Sequence, residues 1–281
     1  MVADDQDIVL ATLRETDRDR YLACLLSPID KRPAIAALYA FNAEIARVRD
    51  VVREPLPGEI RLQWWRDLLE GTAHGDTGGN PVAAALLKTV DAYRLPRESL
   101  LAMIEARIGD LYDDPLDDRN ELEGYAGETA SALIQLASLI LSAEEAAGSA
   151  EAAGHAGVAQ AVAGLLLLMP LHRRRGQLYI PLDILAATGL DRDAFLRSDD
   201  KGKVSAAIEA FAGLGLEHLA KARAADGPSK PVFAAFLPVA LAEPVLRRAL
   251  REKAAILDHD IQQPQWRRQL RLARAQLFQR F

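Results

Sequence analysis

Only one cysteine, Cys24, stands among 281 residues, which excludes an internal disulfide framework. No Cys/His cluster has the spacing of a structural zinc site, so the chain reads as one from a reducing compartment. A basic excess is also missing. The net charge is −6, whereas a nucleic-acid binder needs a basic face to neutralise phosphates; no nucleic-acid partner is expected. The first residues, "MVADDQDIVLATLRE", show neither the basic-then-apolar order of a secretory signal nor the Arg-rich character of a transit peptide, and a bacterial cytoplasmic location is expected. Long apolar runs are scarce too. The longest, "AGVAQAVAGLLLLMPL" from Ala156 to Leu171, is shorter than the roughly 20 residues of a membrane span and contains Gln160 and Pro170. It reads as a buried core helix.

Strand signals are nearly absent. Alanine and leucine dominate, β-branched runs are few, and half of the residues are apolar, enough for a large core. The fold class is all-α. Helices are expected at about 5–25, 30–51, 57–72, 79–93, 97–112, 119–142, 151–171, 181–187, 192–196, 202–225, 231–240 and 243–256. Breaks fall at "SPIDKRP" (27–33), "REPLPGE" (53–59), "GDTGGNP" (75–81) and "ADGPSKP" (225–231). None is long enough for a flexible linker, so residues 1–281 read as a single domain.

The most conspicuous acidic stretch is "RIGDLYDDPLDDRN" (107–120), where Asp113, Asp114 and Asp117 have the DDxxD spacing of a diphosphate-binding metal motif. Carboxylates at i, i+1 and i+4 grip Mg²⁺ only from one helical face. Pro115 disfavours helix at Asp114 and removes a donor. The stretch therefore reads as a solvated turn, with Asp118 or Asn120 as the N-cap of a following helix.

Three separated blocks carry a family likeness: "YLACLLSPIDKRPAIAALYAFNAEIARVRD" (21–50), "GEIRLQWWRDLLEG" (58–71) and "RRRGQLYIPLDIL" (173–185). Together they resemble the squalene/phytoene synthase family, over about residues 15–225. The resemblance implies a terpenoid-synthase helical bundle around a central cavity, in which two Asp-rich motifs on facing helices hold Mg²⁺ and two prenyl diphosphates. Ungapped placement sets Ala46, Arg47 and Asp50 where the enzymes carry three aspartates of the first motif, and Leu168 and His172 at the two aspartates of the second. Only Asp50 is a carboxylate. Metal stabilisation of the leaving diphosphate supplies several kcal/mol, so catalysis is not expected, and neither a catalytic residue nor a resident metal is assigned. Arg47, Arg61, Arg173, Arg174 and Arg175, with Asp50 and Tyr179, are cavity or anion-binding candidates, since guanidinium forks bind phosphate without metal. The structural alternative for residues 173–175 is a solvated basic helix end.

"ALYAFNAEIARVRD", "ELEGYAGETASALIQLASLIL" and "VFAAFLPVALAEPVLRRA" extend the likeness over nearly the whole chain, toward the noncatalytic branch that includes complex I assembly factors. That branch implies an assembly or scaffold role with a protein partner in respiratory complex biogenesis. Two alternatives stay open: a divergent prenyl transferase using Mg²⁺, and a noncatalytic prenyl-lipid binder.

Simpler readings hold for single residues. One of Trp64 and Trp65 faces the core, because neighbours on a helix differ by about 100°. Glu44 and Glu59 are paired carboxylates or relics of a polar cavity, and His155, His218 and His259 are surface histidines. Cys24, Thr129 and Ser131 lack nucleophile context. The last segment, residues 266–281, interleaves Trp266, Leu270, Leu272, Leu277, Phe278 and Phe281 with arginines and no acid. Such a tail suits peripheral membrane contact, an acidic partner, or packing on the acidic body.

Overall fold

Asp17 divides the first expected helix in two. Its side chain accepts from the Arg20 N–H at 2.9 Å and caps α2 (Arg18–Leu25), leaving α1 (Asp5–Thr16) as a separate element. The computed structural model describes residues 5–72 and 79–281, and no β-strand occurs among them. Positions 75–78 of the expected break at 75–81 lie outside the described residues.

Proline and capping residues set most boundaries. Pro33 sits in the first turn of α3 (Arg32–Ala46), which a turn at Arg47 separates from α4 (Val48–Val51). Pro55 opens α5 (Pro55–Glu70), and Gly71 at φ +77° closes it, a conformation that disfavours a Cβ. Asn80 caps α6 (Pro81–Tyr93), followed by α7 (Arg97–Gly109). Asp118 accepts from the Glu121 N–H at 3.0 Å and starts α8 (Arg119–Ala126).

The expected helix at 119–142 holds a π-turn, Gly127–Ser131, before α9 (Ala132–Leu141). After α10 (Ala143–Ala146) comes the long α11 (Ala150–Arg174), then α12 (Leu182–Ala187), α13 (Arg192–Arg197) and α14 (Lys201–Ala224). The expected helix at 231–240 is 3₁₀ over Phe233–Leu241, with Pro238 removing an α-helical donor. The chain ends in α15 (Ala242–Glu252), a 3₁₀ stretch at Lys253–Leu257, and α16 (Gln265–Phe278).

Helix α11 is the spine. It packs most extensively on α14 and reaches the π-turn, α9 and α15. Its first half gives Ala152, Ala153, Ala156 and Ala159 to a core with Leu38 and Phe41, and its second half gives Val162, Leu166 and Met169 to a core with Phe195, Phe211 and Leu246. By length and composition Ala143–Arg174 is apolar enough to cross a membrane, but 61% of its apolar window is buried inside the bundle, as a core helix requires. Gly157 makes the approach to the π-turn possible: a Cβ there would lie 2.1 Å from Ser131 Oγ and 2.4 Å from Ser131 N. The Ser131 hydroxyl donates to Gly154 O at 2.9 Å, a packing role.

Trp65 is buried and meets Phe41 edge-on at 5.1 Å, while Trp64 is half-buried with its ring 5.0 Å from Trp65. One tryptophan thus points inward, as the 100° step requires. The reading of His218 as a surface residue is wrong. It is 3% exposed, its Nδ1 lies 3.1 Å from His155 Nδ1, and its Nε2 lies 3.3 Å from Glu123. His259 is exposed and pairs with Glu252 at 2.7 Å.

Candidate functional site

The end of α3, the middle of α11 and the end of α7 border an open pocket of about 290 Å³. Ala46, Arg47 and Leu168 line it together with Arg20, Arg107 and Gln160. Three motif positions placed by family likeness, far apart in sequence, thus line one pocket. Asp17 also lines it, but its carboxylate holds the Arg20 guanidinium at 2.6 Å.

A buried polar network borders the cavity. The Arg107 guanidinium donates to Tyr125 Oη at 2.5 Å and to Asp110 Oδ2 at 2.9 Å. The hydroxyls of Tyr125 and Tyr179 donate to the two Asp110 oxygens, each at 3.2 Å. Burial pushes both tyrosine hydroxyls well above their ordinary range, with Asp110 adding to the shift, so both stay protonated donors. His172 packs on Tyr179 with ring centroids 4.8 Å apart. Burial draws its imidazole down to about 4 against the opposing pull of Asp110 and Asp50, which keeps it neutral near pH 7.

The acidic loop divides into unlike parts. Asp113 adopts φ +59° and accepts from Arg49 through Nη2 at 2.7 Å and Nε at 3.3 Å, and also from the Gln177 amide. Burial raises its carboxyl, but these hydrogen bonds outweigh that and hold it below the usual range. Asp114 and Asp117 are exposed, and the Asp117 N–H donates to Glu121 at 2.6 Å. The loop is non-helical, as Pro115 requires. It is not simply solvated, because Asp113 ties α4 to the segment after α11. Among the described residues no group of three or more His, Cys, Asp or Glu is placed to hold a metal ion.

The remaining candidates scatter. Asp50 accepts from Arg175 at 2.5 Å. Arg173 donates to Leu196 O at 2.9 Å and to Asp258 at 3.1 Å, so it is not a free helix end. Arg174 is exposed on α11 and Arg61 on α5. Glu44 is half-buried, and burial raises its carboxyl against the pull of Arg47. Sequence reading missed Arg107, Asp110, Tyr125 and Gln177. The one local signal was the i,i+3 spacing of Arg107 and Asp110, a helical ion-pair spacing.

The sequence matches the family described as squalene/phytoene synthase over residues 13–274. The chain belongs to the squalene/phytoene synthase family. Complex I assembly factor 6 of Rattus norvegicus is 32% identical over 264 residues, covering 93% of this chain and 79% of the rat protein. The Homo sapiens protein of the same name is 33% identical over 256 residues, covering 90% of this chain and 76% of its own length. Among solved structures, squalene synthase HpnC from Alicyclobacillus acidocaldarius superposes with a TM-score of 0.71 at 19% identity, over 89% of this chain and 94% of that one. The expected terpenoid-synthase helical fold is therefore the observed one.

Proposed function

We propose that this family member is a noncatalytic assembly factor for respiratory complex I. The observation that carries the reading is the open pocket that Ala46, Arg47 and Leu168 line together with Arg20 and Arg107. Mg²⁺ demands a tight octahedral shell of oxygens. Ala46, Arg47 and Leu168 have no side-chain carboxylate, His172 offers a neutral imidazole, and Asp50 is held by Arg175. These residues do not fit Mg²⁺. Relatives at more than 30% identity carry the name complex I assembly factor 6, which supports a protein partner in that pathway. Affinity capture of the tagged chain from its own host, in mild detergent, is expected to retrieve complex I subunits. Capture without them, together with a normal complex I level in a deletion strain, would overturn the reading.

A second reading, a binder of anionic prenyl lipid without chemistry, is favoured by Arg107, which borders this pocket and whose buried Nε has no hydrogen-bond partner. An unmet guanidinium donor in the same pocket lining as Arg47 suits a phosphate oxygen. Calorimetric titration with a prenyl diphosphate in the presence of chelator tests it: binding that weakens in Arg47→Ala supports a metal-free site, and no heat rejects it.

A further inference from the structure

The last helix, α16, has two opposite faces, and only one is covered. Leu272 and Ala275 are buried against the bundle, and Phe281 stacks on Phe236 at 5.5 Å. Arg268 pairs with Asp19, and Arg18 donates to Gln265 at 2.8 Å. The helix is therefore fixed to the body along one seam.

On the other side, Trp266, Leu270, Ala273 and Leu277 recur at i, i+4, i+7 and i+11, which places them in one stripe. Trp266 is 60% exposed, Leu270 53% and Leu277 74%. A row of arginines runs beside the stripe: Arg267, Arg271 and Arg274 are exposed and make no ion pair among the described residues. Arg267 stacks its guanidinium 5.1 Å from the Trp266 ring.

We propose that this outer face of α16 docks on an anionic phospholipid surface. The inference goes beyond the assembly reading and does not depend on it. An apolar stripe with an adjacent cationic row is how an interfacial helix divides its contacts between acyl chains and phosphates, with tryptophan at the boundary. The stripe lies opposite buried Leu272 and Ala275 on the helix, and Trp266 and Leu270 with the three arginines also border an open groove against Arg223 and Ala240. Charge sets the orientation. Residues 265–281 contain no acid, while the whole chain is −6, so an anionic leaflet repels the body and attracts this face.

Co-sedimentation of the full chain with phosphatidylcholine vesicles containing phosphatidylglycerol, beside pure phosphatidylcholine vesicles, tests the proposal. Binding is expected on the anionic vesicles only, weakening as salt shortens the Debye length toward about 8 Å. The double change R271E/R274E is expected to weaken it roughly tenfold or more, and L270S/L277S likewise. All four residues are exposed, so thermal melting of both variants should match the wild type. As a readout independent of the variants, Trp266 fluorescence should become protected from a soluble quencher on vesicles. Wild-type indifference to anionic vesicles, undiminished binding by both variants, or Trp266 left open to quencher would each overturn the proposal. The first would leave an acidic protein helix as the occupant.

Discussion

Asp50 and Arg175, from α4 and from the turn that closes α11, meet at 2.5 Å. Of the five positions that the family likeness sets at the two metal motifs, Asp50 alone is a carboxylate, and this contact neutralises it. Both side chains are partly exposed, 46% for Asp50 and 29% for Arg175, which puts the pair in the range of about 0–1 kcal/mol. Asp50→Asn should therefore lower stability by no more than about 1 kcal/mol. Denaturant unfolding with and without Mg²⁺ should show the same difference; a Mg²⁺-dependent stability that vanishes in the variant would make Asp50 a metal ligand.

Gly157 tests the packing of the spine. Its substitution by alanine places a methyl group against Ser131 backbone and hydroxyl at 2.1–2.5 Å, and neither can yield without disturbing the π-turn. Overpacking of this kind costs about 1–3 kcal/mol or more. Thermal unfolding followed by circular dichroism should show it, whereas Gly164→Ala, with nothing within 4 Å of the new Cβ, serves as the mild control. Equal melting of the two variants would contradict the close approach.

Asp113 and Asp114 should respond differently although adjacent. Asp113→Ala leaves Arg49 and the buried Gln177 amide without their acceptor and is expected to cost about 1–3 kcal/mol. Exposed Asp114→Asn should stay within about 0.5 kcal/mol. Urea midpoints at a common slope distinguish them, and equal effects would return the loop to a solvated turn.

Acid should destabilise the fold in part through His172. Its folded value near 4 lies below the ordinary 6.5, so the unfolded chain takes up the proton first as pH falls. Stability from this group is whole above about pH 6.5 and declines until about pH 4, by at most roughly 3 kcal/mol. Buried His218 shifts in the same direction, so the wild type alone cannot isolate the effect. His172→Asn should flatten the stability profile between those limits, and an unchanged slope would place the acid sensitivity elsewhere.

Much of the fold was legible because it is local. Alanine- and leucine-rich periodicity located the helices, with starts expected near 30, 57 and 79; Pro33, Pro55 and the Asn80 cap set the observed starts at Arg32, Pro55 and Pro81. Asp17 was overlooked because its cap lies within an otherwise unbroken helical pattern. The π-turn at Gly127–Ser131 packs against Gly157, 26 residues after Ser131, a contact that no short window of sequence contains. The site divides similarly. Family likeness set Ala46, Arg47 and Leu168 at positions that line one pocket, whereas Arg61 and Arg174, advanced for their guanidinium chemistry, lie on the surface. The Arg107, Asp110, Tyr125 and Tyr179 network draws on three separate segments, and only its Arg107–Asp110 part has a local spacing. His218 had no neighbour in sequence to reveal that His155 would meet it inside.

The claim that the family fold persists here without its metal chemistry is tested most directly by pyrophosphate release. Purified protein incubated with Mg²⁺ and farnesyl or geranylgeranyl diphosphate should release no more than a heat-inactivated control. Sustained release that chelator abolishes would contradict the account and make the chain a prenyl transferase with unrecognised ligands.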